Sequence, residues 1–183
     1  MDDFKIIDMA ADKDSRFTSG GLILITGITE SNLNDAITIT ESAKASENVT
    51  AGILSGNINP LNQNMRRLSE IVDAVIISPG KIEDPSRAIT DSISDLITKT
   101  GFVNIDIEDL QEIFRDAGTV YYGTGTAKDS STAAKTASEM CGNIPSAKRF
   151  LVNVTAGTEI MLSELSDAAQ VIAMSADPQA QVI

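Results

Sequence analysis

Asn104, Asp106 and Asp109 have types and a spacing suited to chemistry, within the run Gly101-Phe102-Val103-Asn104-Ile105-Asp106-Ile107-Glu108-Asp109-Leu110. Two carboxylates this close can orient or deprotonate a water molecule and organise a cation. The same residues also suit a helix start. There Asn104 or Asp106 would cap the free amide groups, and Asp109 would face the positive end of the helix dipole. The two uses are compatible, and the residues by themselves support both.

Little else in the chain offers catalytic chemistry. Histidine is absent from all 183 residues, which removes the commonest general base, the Ser/His and Cys/His pairs and most zinc sites. The lone cysteine, Cys141, allows no internal disulfide and no CxxC metal site, and is read as a small buried residue on a helix. Gly123-Thr124-Gly125-Thr126 lacks the lysine and spacing of a phosphate loop, and reads as a strand passing close to another backbone. Glu30, Asp35, Glu41, Glu47 and Glu83 show no metal-ligand spacing and are read as solvated surface. A formal charge of −12 argues against nucleic acid and against an anionic membrane surface as partners. The apolar run Gly21–Ile28 is too short to cross a bilayer, and Met1-Asp2-Asp3-Phe4-Lys5 lacks the features of a signal peptide. A soluble, cytoplasmic protein is expected.

With 42% apolar residues, the chain can bury one sizeable core or two small lobes. Strands and helices alternate. Leu22–Ile28 is a continuous apolar strand of the kind buried on both faces of a parallel sheet, and Val49–Ser55 and Asp73–Ser78 follow as strands. Helices are predicted over Glu30–Ser46, Leu61–Ile71, Pro85–Thr98, Asp106–Asp116, Ser130–Cys141 and about Met161–Ala173. Further strands are expected at Thr119–Gly125, Arg149–Thr155 and from Gln181 on. The pattern predicts an α/β protein in two lobes: an arm over 1–19, a lobe of three parallel strands over 20–98, and a second lobe over 99–183.

Three segments carry a resemblance. The 101–110 run resembles the G-x-x-N-x-D-x-x-D loop of the FtsZ/tubulin family. Tyr122-Gly123-Thr124-Gly125-Thr126-Ala127 is similar to that family's strand exit, and Leu151-Val152-Asn153-Val154-Thr155-Ala156-Gly157 to its L-V-N-x-T-A-G strand. Together they are firm from about residue 98. A looser likeness, including Met65-Arg66-Arg67 ahead of Ile71-Val72-Asp73, reaches back to residue 20. The resemblance implies a partial Rossmann-like lobe followed by an FtsZ-like C-terminal lobe. It also implies that Asn104, Asp106 and Asp109 enter the nucleotide pocket of a neighbouring subunit, to position the water that attacks GTP.

The departures from the family are as informative. Its phosphate loop reads G-G-G-T-G-[ST]-G at a helix N-terminus, where bare amide groups hold the anion. Here Thr29-Glu30-Ser31-Asn32-Leu33-Asn34-Asp35-Ala36 stands in that place, without glycine and with two acids. Phosphate binding is not expected there. The family's first strands have no room before Gly21, its long central helix corresponds to Pro85–Thr98, and its final hairpin would lie beyond Ile183. Shortening at both ends is therefore implied. The expectation is a non-enzymatic assembly or interaction module that contacts a second copy or an FtsZ-like protein, with no cofactor. Alternatives are a remnant GTPase acting only at a subunit interface, in which GTP enters, and a structural homodimer unrelated to filaments.

Overall fold

The computed structural model describes residues 3–11, 16–99, 105–142, 146–157 and 160–182. They form two compact units, Met1–Ile77 with Ile82–Val120, and Ser78–Lys81 with Tyr121–Ile183.

The first unit is built on a five-stranded sheet. Its strands are β1 (Phe4–Asp8), β2 (Leu22–Ile28), β3 (Val49–Leu54), β4 (Ala74–Ile77) and β5 (Gly118–Tyr121), lying side by side in that order. The pairings β1–β2, β2–β3 and β3–β4 are all parallel. The helices are α1 (Leu33–Ala45), α2 (Gln63–Ile71), α3 (Pro85–Thr98) and α4 (Ile107–Phe114). Ile23 and Ile25 of β2 pack in one core with Leu33, Ala36 and Ile37 of α1 and Leu68 of α2. Leu22 and Leu24, buried too, alternate with them and so face the other way, the side on which α3 and α4 lie against β2 and β3. Burial on both faces accounts for the unbroken apolar run of β2.

Three expectations are corrected here. Residues 4–8 are not part of an arm: Phe4 to Asp8 pair with Leu22 to Thr26 as the first strand. The sheet has five strands, not three, because β1 and β5 join it at either side. The first unit also runs past residue 98 to Val120. The reason is burial, since α4 places Leu110, Ile113 and Phe114 in the interior while packing on β2 and β3.

The amino edge of the sheet is tied by two polar groups. Asp73 accepts from Lys44 Nζ at 2.9 Å on both carboxylate oxygens, and from Thr50 N at 2.8 Å and Thr50 Oγ1 at 3.1 Å. Its side chain is only 2% exposed. Burial alone would push its pKa up, but the Lys44 ammonium and the Thr50 donors outweigh that and hold it below the usual carboxylate value. Asn48 accepts from Gly21 N at 2.7 Å and donates to the carbonyls of Thr18, Ala43 and Ser46.

In the second unit, α5 (Ser130–Cys141) packs on α6 (Leu162–Ser175), and β6 (Arg149–Phe150) pairs in parallel with β7 (Gln181–Val182). Ala134, Ala168 and Ile172 form its core, with Phe150, Val152 and Val154 against them. Among the described residues, the predicted strand over 149–155 makes ladder bonds only at its first two residues. Alternation continues beyond them, with Val152 and Val154 turned inward and Asn153 and Thr155 exposed. Gly123 and Gly125 run against α5: an added Cβ would lie 2.2 Å from the Ala137 carbonyl oxygen and 2.1 Å from that of Ala133. This is the close backbone approach that the Gly-Thr-Gly-Thr spacing predicts. No helix among the described residues is long and apolar enough to cross a membrane.

Candidate functional site

In parallel α/β sheets, ligands bind beyond the carboxyl ends of the strands. The turn from β2 into α1 is therefore the first place to look. Gly27, at φ +70°, lets the chain leave β2 where its register with β3 shifts. Residues Glu30–Asn32 then make a single 3₁₀ turn before α1. Asn32 closes this turn from within. Its Nδ2 donates to the Gly27 carbonyl at 2.9 Å, while its Oδ1 accepts from Thr29 N at 2.8 Å. Thr29 Oγ1 and Ser31 Oγ share a hydrogen bond of 3.0 Å, and Glu30 accepts from Asn62 Nδ2 at 2.9 Å. The Thr29 amide, which an anion would need, is thus already engaged by a side chain.

An open cleft of about 470 Å³ lies beside this turn, at the carboxyl ends of β1, β2 and β3 and the start of α3. Asp8, Asp84 and Asp91 line it, opposed by Arg87. Arg87 Nε lies 3.5 Å from Asp91 Oδ2, and Asp84 caps α3 by accepting from Arg87 N at 3.0 Å. Asp8 accepts from Ala10 N at 2.9 Å. Ser86 Oγ joins the Gly27 amide, at 3.3 Å, to Ser55 Oγ, at 2.5 Å. A phosphate charge about 4 Å from any of these carboxylates would meet a repulsion of about 1–4 kcal/mol. Asp8, Asp84 and Asp91 do not converge as metal ligands, nor does any group of three or more acidic or sulfur side chains among the described residues.

The sequence-predicted trio lies elsewhere. Asn104 falls outside the described residues. Asp106 and Asp109 form a reciprocal capping box at the start of α4: Asp109 N donates to Asp106 Oδ1 at 2.9 Å, and Asp106 N to Asp109 Oδ2 at 3.1 Å. Gln111, further along α4, donates from Nε2 to the carbonyl of Gly20, just ahead of β2. Neither carboxylate of the box lines the cleft. Sequence reasoning missed Asp8, Asp84 and Ser86 as cleft residues. The only local signal was the Asp84-Pro85 pair at a helix start.

A parallel sheet with helices on both faces and a cleft at its carboxyl edge defines a Rossmann-type α/β protein. No family model matches this chain. Curated relatives do. It is 29% identical to the cell division protein FtsZ of Caulobacter vibrioides over 129 residues, covering 67% of this chain and 25% of that protein. It is 27% identical to the cell division protein FtsZ of Pseudomonas aeruginosa over 146 residues, covering 66% and 37%. A solved structure of an FtsZ mutant from M. jannaschii shares the fold at a TM-score of 0.68 and 18% identity, covering 89% of this chain and 58% of that one. The chain is thus similar to FtsZ in sequence and shares its fold, and it spans well under half the length of these curated relatives.

Proposed function

We propose that this chain is an FtsZ-like assembly or interaction module without a nucleotide pocket of its own. In this reading it is a cytoplasmic protein that self-associates or docks, through the 101–110 loop and the C-terminal unit, onto an FtsZ-like protein, and caps or regulates its filament. The observation that carries the reading is the turn after β2. Its amide and carbonyl are satisfied by Asn32, it holds no glycine between Thr29 and Ala36, and the neighbouring cleft is acidic. That Asp106 and Asp109 do not line the chain's own cleft supports a contact of the box with another molecule.

The first test is calorimetry with GTP and GDP at high protein concentration, with and without Mg²⁺. We expect no affinity tighter than about 1 mM, equivalent to about −4 kcal/mol. A micromolar isotherm would overturn the reading and favour a remnant GTPase. The second test mixes the chain with a full-length FtsZ and follows GTP turnover. A passive cap lowers turnover equally as wild type, Asp106→Ala and Asp109→Ala. Stimulation by wild type that drops by a factor of about 10²–10⁴ in both variants would instead assign the carboxylates a role in trans.

A further inference from the structure

We draw no further inference here: the strongest candidate, the cleft at the carboxyl ends of β1, β2 and β3, belongs to the site already described, and its acidic cluster of Asp8, Asp84 and Asp91 comes with no second observation that points to a ligand.

Discussion

The side chain of Asn32 bonds the Gly27 carbonyl and the Thr29 amide together across the turn. In Asn32→Ala both groups lose their partner in a partly buried place. We expect a loss of about 1–3 kcal/mol in urea denaturation, with no GTP affinity gained because the carboxylates around the cleft remain. The box at α4 is graded in the same way. Asp106 caps the N3 amide, so Asp106→Ala should cost about 0.5–2 kcal/mol. Asp109→Ala should cost less, about 0.3–1 kcal/mol, mostly through the helix dipole. Equal and larger losses for both would mean that the box does more than cap.

Packing between elements makes stronger demands than these caps. An alanine Cβ at Gly125 would meet the Ala133 carbonyl oxygen at 2.1 Å, and that atom belongs to the backbone of α5 and cannot swing aside. Gly125→Ala should therefore displace α5 and cost about 1–3 kcal/mol or more. Gly157→Ala is the matched control. Its Cβ would meet nothing among the described residues within 4 Å, so the change should be neutral or stabilise by up to about 1 kcal/mol. Thermal unfolding of the two variants checks the contrast. At the amino edge, Lys44 joins α1 to Asp73 at the head of β4. Lys44→Met leaves that buried carboxylate without its cation. A loss of about 1–3 kcal/mol is expected, moderated because the lysine is itself 39% exposed and water can reach the site.

For the molecule as a whole, Asp73 also sets an acid limit. Its folded pKa lies below the ordinary value of 3.8, so the folded state binds fewer protons there than the unfolded chain. The stability it contributes is complete above that value and is lost as pH falls from it through the lower folded pKa. Asp73→Asn, less stable at neutral pH, should show a shallower decline below pH ~4 than wild type, read from denaturation midpoints across the acid range. Charge bears on assembly as well. Docking the Asp106–Asp109 end of one copy onto the cleft of another would bring Asp106, Glu108 and Asp109 toward Asp8, Asp84 and Asp91. The net charge of −12 adds to that repulsion. Self-association by this route should be weak and should strengthen as salt screens it, over a Debye length of about 10 Å at 0.1 M. Light scattering at rising ionic strength checks the sign. Dissociation on adding salt would indicate a different surface.

Local signals carried as far as local physics reaches. The bounds of α3 and α5 were legible because Asp84 with Pro85, and Asp129, cap them from the adjacent sequence. The burial of β2 was legible from its unbroken apolar run. What stayed hidden depends on partners distant in the chain. Phe4-Lys5-Ile6-Ile7-Asp8 is too short and mixed to announce a strand, and becomes one only by bonding to β2. Gly118–Tyr121 joins the first sheet because its position beside β4 is set by a bond from Gly118 N to the Asp73 carbonyl. The predicted strand at 149–155 keeps its alternation, and among the described residues only Arg149 and Phe150 of it pair, with Gln181 and Val182 from a distant part of the chain. The cleft draws Asp8, Ser55 and Asp84 from three separate segments, and periodicity within any one of them carries no trace of the others. A hydrogen bond or charge across a sheet edge depends on where the chain returns to in space, and that is decided by folding.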